Sequence, residues 1–359
     1  MCRDIDGVAT PCIRGRGAGN ATYGSFSAAC EPPVTSYPSY LNLLESGELD
    51  RRVRLLLGLL GQCTVCPRNC RVKRLRDMRA ICETGRWAEV ASWCVHAGEE
   101  PCISGTAGSG TVFFAHCNLS CLYCQNHQIS QDWPAGEGAK TAEDLAEIYL
   151  ELQSRGVHNL NWVSPSHVVP QAVEALAIAA RGGLRLPVVY NSNGYDALST
   201  VKLLDGIVDI YMPDLKFADD GAAAELSKAV GYVPNAQAAL KEMWRQVGPL
   251  KRDEAGVAIR GLLVRHLVLP NGLSETGEVL SFLAEELGRD VAVSLMSQYH
   301  PCHRAAEHAL LSRTIGEGEY ARALDALERS GITDGYVQEL NSPQNYLPDF
   351  DRDGHPFED

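Results

Sequence analysis

From about residue 110, short apolar runs rich in β-formers alternate with stretches of helical periodicity. That alternation narrows the possible folds more than any other feature of the chain. The run "GTVFFAHC" is followed by "TAEDLAEIYLELQSRG", where Leu145, Ile148, Tyr149 and Leu152 form one stripe, Thr141 is the expected N-cap and Gly156 the stop. Further strand candidates are "LNWV" (160–163), "LPVVYN" (186–191), "IVDIYMPD" (207–214), "GLLVRHLVLP" (261–270) and "VAVSLM" (291–296). Helical stretches such as "PQAVEALAIAARG" and "GEVLSFLAEELG" fall between them. Some six apolar strands separated by helices imply a parallel sheet covered by helices, either doubly wound or closed wholly or partly into a barrel.

Both folds place function at the carboxyl ends of the strands. The first strand runs into Cys117, Cys121 and Cys124, and the second into Ser164, Ser166 and His167. The third ends at Asn191, Ser192, Asn193 and Gly194, the fourth at Asp214 and Lys216, the fifth carries Arg265 and His266, and the sixth leads to His300. One shared pocket is expected.

Thirteen cysteines, an odd number, in a chain whose start has no apolar export-like stretch argue for metal ligation or redox chemistry in a cytoplasmic setting, not for disulfides. No apolar run approaches the ~20 residues of a membrane span. A net charge of -13 argues against a nucleic-acid surface. The local exception is "CPRNCRVKRLRDMR", with Arg68, Arg71, Lys73, Arg74, Arg76 and Arg79 against Asp77, which reads as a solvated face before it reads as a docking patch.

The spacing C-x3-C-x2-C at Cys117, Cys121 and Cys124 supplies three thiolates and no fourth. Cuboidal iron-sulfur clusters take one thiolate per iron, so three leave one iron open for a ligand. A zinc site completed by His116 or His127 fits the same spacing, and spacing alone leaves both open. Upstream, Cys63, Cys66, Cys70 and Cys82 give C-x2-C-x3-C-x11-C, four thiolates able to close a zinc site or hold an auxiliary cluster. Cys94 and Cys102 are substitute ligands for that group, and the cysteines at positions 2, 12, 30 and 302 read as free thiols.

"CNLSCLYCQN" resembles the signature of the radical S-adenosylmethionine (SAM) enzymes, with Tyr123 as its aromatic residue. "YNSNGYD", "DIYMPDLK", "VRHLVLP" and "SQYHP" continue the likeness over about residues 105–340. The resemblance is to glycyl-radical-enzyme activases, and within them to pyruvate formate-lyase activating-enzyme homologues, which also carry a CxxCPRxC module.

The resemblance implies a partial (β/α)6 TIM-like barrel with an N-terminal cysteine-rich module. It divides the chain into a flexible arm (1–40), a helical metal-binding module (41–104), a radical SAM core (105–340) and a tail (341–359). Helical leucine spacing in "YLNLLESGELDRRVRLLLGLLGQC" fits the module. Cys117, Cys121 and Cys124 would hold a 4Fe-4S cluster whose open iron takes SAM, and reductive cleavage would yield a 5'-deoxyadenosyl radical. Tyr123 and Asn126 would pack near the adenine, and Lys216 would meet the SAM carboxylate. Asn191, Ser192, Asn193 and Asp214 match a segment that binds SAM and a monovalent cation, with Asn191 replacing an acid. Arg265 and His300 match the nucleotide pocket.

The family's G-G-E after strand two is absent, and Ser164, Ser166 and His167 stand there instead. The expected partners are a protein substrate such as a glycyl radical enzyme and a low-potential donor such as flavodoxin or ferredoxin. Two alternatives stand beside this reading: radical modification of a peptide side chain, RNA or small molecule, and a metal-binding interaction protein without turnover.

Overall fold

The computed structural model describes residues 37–340, 348–350 and 356–357. Most of the expected arm and tail, with the cysteines at positions 2, 12 and 30, lies outside the described residues. Two helices come first, α1 (Tyr40–Glu45) and α2 (Glu48–Gly58), separated at Gly47, whose φ of 74° a glycine accepts without strain. Then follow β1 (Ala88–His96), α3 (Pro101–Ser104), β2 (Ser109–Phe114), α4 (His127–Ser130), β3 (Ala139–Lys140), α5 (Ala142–Ser154), β4 (Leu160–Val163) and α6 (Val169–Arg181). The rest are β5 (Val188–Asn191), α7 (Leu198–Leu203), β6 (Ile210–Tyr211), α8 (Asp220–Ser227), α9 (Tyr232–Val247), β7 (Lys251–Arg252), β8 (Ala258–Leu267), α10 (Thr276–Glu286), β9 (Ala292–Met296), α11 (Glu317–Ser330) and β10 (Asp334–Val337).

The fold is mixed α/β around one large, mostly parallel sheet in the order β10-β9-β8-β6-β5-β4-β2-β1-β3, with β7 paired to β8. Seven strands, from β2 to β10 along that path, pair in parallel. β1 and β3 extend the β2 edge antiparallel. Among these seven parallel strands the order never reverses. Right-handed crossovers that all step the same way put their helices on one face, so the sheet is singly wound, as a partial barrel requires and a doubly wound sheet does not.

Side-chain alternation then separates the two faces. Val112, Phe114, Leu160, Trp162, Val188, Tyr190, Tyr211, Leu262, Val264, Val293 and Leu295 belong to the main core under the helices. Their neighbours on the other face, Val189, Ile210, Met212, Leu263 and Ala292, form a separate apolar group with Cys102 and Ile103. Further toward the carboxyl ends, that inner face turns polar at Asn161, Asn191, Arg265 and Ser294, which places polar chemistry inside the curve of the sheet.

The stretch 41–104 does not stand apart from the sheet. β1 pairs with β2, and Tyr40, Leu49, Leu56, Leu60, Cys63 and Val65 share the main core. Among the described residues no helix is long and apolar enough to cross a membrane.

Candidate functional site

The loop leaving β2 carries Cys117, Cys121 and Cys124, and backbone hydrogen bonds pin it along its length. His116 N donates to Ile129 O (2.7 Å), Ser120 N to Ser227 O (3.0 Å) and Leu122 N to Leu226 O (2.8 Å). The Cys117 thiol receives Asn193 Nδ2 at 3.2 Å and Leu119 N at 3.4 Å, and the Cys124 thiol lies 3.2 Å from Ser130 Oγ. Burial pushes Cys117 up to about 11 and Cys124 up to about 12, and raises Cys121 as well. Three half-buried thiols that resist ionising alone become thiolates readily only with a cationic centre to ligate.

His116 is anchored through one ring nitrogen. Its Nε2 donates to Glu89 Oε2 at 2.8 Å, and Glu89 also receives Arg79 (2.6 Å) and Gly136 N (2.8 Å). Burial works to raise the Glu89 carboxyl, but His116, Gly136 N–H and Arg79 hold it below its usual range. His127 instead meets Asp132 at 2.8 Å and stacks on His303 with centroids 4.9 Å apart. His127, Asp132 and His303 gather their ligand atoms within 4.8 Å of one another. Among the described residues neither cysteine group is drawn in that tightly, whereas a four-thiolate zinc ion holds its sulfurs about 3.8 Å apart.

The strand-end residues converge beside the thiols. After β5, Ser192 Oγ donates to Asp196 (2.6 Å), and Asn193 Nδ2 reaches Asn118 Oδ1 (2.7 Å) as well as Cys117. Gly194 follows at φ 80°, where an added Cβ would lie 2.1 Å from Asp214 O, so only glycine lets the two strand ends approach. Tyr232 Oη clamps the same point, 3.0 Å from Asn193 O and 3.2 Å from Asp214 O. Asp214 receives Lys216 Nζ at 2.5 Å and Arg265 Nε at 3.0 Å. Burial alone would raise the Asp214 carboxyl, yet Arg265 and Lys216 hold it below its usual range.

Other expected site residues are placed differently. Ser166 and His167 are buried behind the cysteine loop, where His167 Nε2 donates to Ala115 O at 3.0 Å. Burial, with Arg74 nearby, drives His167 down to about 3, which keeps it neutral. Ser164, at φ 57°, donates its backbone N–H to Asn191 O (2.9 Å). Tyr123 is buried with Phe217 and Tyr299, 6.5 and 5.9 Å away between centroids. Asn126 caps α4 through its carbonyl, 2.9 Å from Ser130 N. The Nδ1 of His300 is buried without a hydrogen-bond partner among the described residues.

Two acids that sequence reasoning missed complete the inner face. Glu99 Oε1 accepts Asn161 Nδ2 (2.9 Å) and Asn191 Nδ2 (3.3 Å), and its Oε2 lies 3.6 Å from Arg265. Glu100 stands beside Glu99, Arg265 and Ser294, and burial raises both carboxyls. The doublet "EEP", adjacent acids ahead of the proline that opens α3, was the available signal.

Upstream, Cys63, Cys66 and Cys82 are buried and Cys70 half-buried. Cys66, flanked by Cys82 and Cys63, is pushed up to about 12 by burial, and Cys70 lies beside Cys63 and Cys82. The chain folds tightly there: Cys63 N donates to Val72 O and Arg71 N to Cys63 O, each at 2.9 Å. Cys94 packs with Phe113 and Cys102 with Ile103, so neither joins this group. Asn118 links the two cysteine groups, facing Cys66 on one side and standing 3.9 Å from Cys117 Sγ on the other.

The basic run is largely used internally. Arg74 is buried, donating to His167 O (2.7 Å) and Gly85 O (3.1 Å), Arg68 donates to Asn118 O (2.8 Å), and Arg79 pairs with Glu89. Of its six basic residues only Arg71, Lys73 and Arg76 are exposed.

No family model matches the chain. It is 28% identical over 298 residues to Uncharacterized protein MJ0674 of Methanocaldococcus jannaschii, covering 81% of this chain and 82% of that protein. A second protein of that organism, Uncharacterized protein MJ0808, is 22% identical over 263 residues, 68% of this chain and 72% of its own length. Among solved structures the chain is similar to HydG, a maturase of the FeFe-hydrogenase, at 12% identity and a TM-score of 0.43. That match covers 62% of this chain and 49% of HydG, about half its length.

Proposed function

We propose that the chain is a radical SAM oxidoreductase whose cluster is held by Cys117, Cys121 and Cys124. The observation that carries this reading is a loop of three half-buried thiols at a strand end, pinned by backbone hydrogen bonds and by Asn193. The donor set fits a cluster that leaves one iron for a small ligand. Bound there, the cluster and SAM supply one-electron cleavage of a carbon-sulfur bond and a 5'-deoxyadenosyl radical that takes hydrogen from a substrate.

The chain's own residues have defined tasks in this reading. Asn193 donates to the Cys117 sulfur and fixes the loop against β5. Lys216, anchored by Asp214, offers an ammonium to a carboxylate. Phe217, Tyr123 and Tyr299 wall off the loop from water. A monovalent cation does not fit: both Asp214 oxygens are taken by Lys216 and Arg265, and the Asn191 amide is turned to Glu99.

For the upstream thiols zinc and a second cluster both stand as proposals, since four gathered thiolates can hold either. A glycine in a partner protein is the proposed hydrogen source, with flavodoxin or ferredoxin as the proposed donor, both supported by the sequence resemblance alone.

Anaerobic reconstitution with iron and sulfide, followed by dithionite and SAM, should yield 5'-deoxyadenosine. Cys121→Ala should abolish the product and lower bound iron, while Cys66→Ala should lower iron or zinc, whichever the upstream thiols hold, and spare part of the cleavage. Full turnover by Cys121→Ala, or zinc alone at positions 117–124, would overturn the reading.

A further inference from the structure

The inner face beneath the thiols is not electrically balanced. Three carboxyl groups, Glu99, Glu100 and Asp214, share two cations, Arg265 and Lys216, and with no third cation beside them burial raises Glu99 and Glu100. Asp214 holds both cations closely, whereas Arg265 stands 3.6 Å from Glu99 Oε2, beyond hydrogen-bonding reach. The Glu99 side chain is only 9% exposed.

Hydrogen bonding is unbalanced in the same place and with the same sign. Glu100 Oε2 is buried with no partner, and so is Asn161 Oδ1, on a residue with no exposure at all. The orientation of the Asn161 amide is set by its Nδ2, which donates to Glu99. Two buried acceptors on that face, Glu100 Oε2 and Asn161 Oδ1, therefore lack a hydrogen-bond donor, although Ser294 stands beside Glu100. Buried acceptors without partners cost free energy, and a carboxylate costs more than an amide. A primary ammonium answers both deficits, since it brings one positive charge and three N–H donors.

We infer that Glu99, Glu100 and Asn161 form a receptor for one primary ammonium group of a bound ligand. Asn191 and Asn193 locate it relative to the thiols. Asn193, just past β5, contacts Cys117, and Asn191, the last residue of β5, contacts Glu99, so the receptor and the cysteine loop meet the same strand end two residues apart. The inference deepens the proposed function by naming the chemistry the ligand must carry, and it rests on that reading only for the ligand's place beside the cluster. The ammonium has two available sources: the amino group of SAM itself, or an amine on the substrate.

The test is equilibrium binding to the full chain under anaerobic conditions, with wild type, Glu99→Gln and Glu100→Gln. One arm compares SAM with its desamino analogue. Loss of ~10- to 100-fold in SAM affinity, with the analogue unchanged, assigns the receptor to the cofactor's amine. The other arm titrates the diamine cadaverine in the presence of saturating desamino analogue, and the same loss there assigns it to the substrate.

Binding of SAM and cadaverine by both variants within about threefold of wild type would overturn the inference. So would equal losses for SAM and the desamino analogue, which mark a structural role. Glutamine keeps the shape of glutamate, and melting temperature checks the fold; if Glu100→Gln does not fold, Glu100→Asp, which withdraws the carboxylate by one methylene, is read instead. Iron content is measured on the same samples. A wild type without iron removes the radical reading while the cadaverine arm still decides the receptor.

Discussion

Asn193 is the residue on which the two halves of the site meet. Its Nδ2 donates to Cys117 Sγ and Asn118 Oδ1, while its Oδ1 accepts Tyr195 N at 2.9 Å. Replacing that donor by a carboxylate puts like charge beside a sulfur that must itself become anionic. Asn193→Asp should therefore retain ~3- to 10-fold less iron after reconstitution than wild type, with an unchanged circular dichroism spectrum. Iron retention equal to wild type would show that the contact does not support the thiolate. Asn193 was legible in the sequence because it stands at a strand end in a row of polar residues. Glu99 and Glu100 were not. The partners of Glu99, Asn161 and Asn191, are more than sixty residues away, and Glu99 reaches them only because β1 folds back beside β2.

At the scale of elements, periodicity located the middle of the sheet well and its edges poorly. The run 160–163 is β4 itself, and 291–296 contains β9, because buried parallel strands carry near-continuous apolar side chains. The run 207–214 shrinks to Ile210–Tyr211, with Met212 N and Asp214 N still donating to Tyr190 O and Ser192 O beyond it and Asp214 bridged to Arg265. β1 went unread because Glu89 and Ser92 interrupt its apolar pattern, and Glu89 is buried only by virtue of His116, Arg79 and Gly136. Local capping chemistry, by contrast, was fully readable. Thr141 Oγ1 accepts Asp144 N at 3.1 Å and Thr141 N donates to Asp144 at 3.0 Å, closing the box that starts α5. Thr141→Ala should cost about 1 kcal/mol, seen as a lower urea midpoint at constant m-value. An unmoved midpoint would mean that packing of α5 against α6 alone sets its start.

Across the whole sheet, function gathers at the carboxyl ends while the opposite end is closed by the residues before α1. Ser39 N and Oγ donate to Asp209 Oδ1 at 3.1 and 2.6 Å, and Arg260 donates to Ser39 Oγ at 3.0 Å. Asp209 stands just before β6 with no exposure, and its Oδ2 has no hydrogen-bond partner. Burial pushes its carboxyl up to about 6, although Ser39 and Arg260 pull the other way. An unfolded aspartate titrates near 3.9, so between that value and about 6 the folded chain holds a proton that the unfolded chain has released. The stabilisation is thus complete below pH ~4 and is lost as pH rises through about 6, by an amount on the order of 3 kcal/mol for a shift of ~2 units. Asp209→Asn keeps an acceptor for Ser39 and cannot ionise. The difference in unfolding free energy between variant and wild type should therefore grow in the variant's favour from pH 4.5 to 7.5, and urea titrations across that range measure it directly. Other titrating groups are common to both proteins and cancel in the difference. Parallel profiles would mean that Asp209 is already ionised at pH 4.5 and that Ser39 and Arg260 fully compensate its burial.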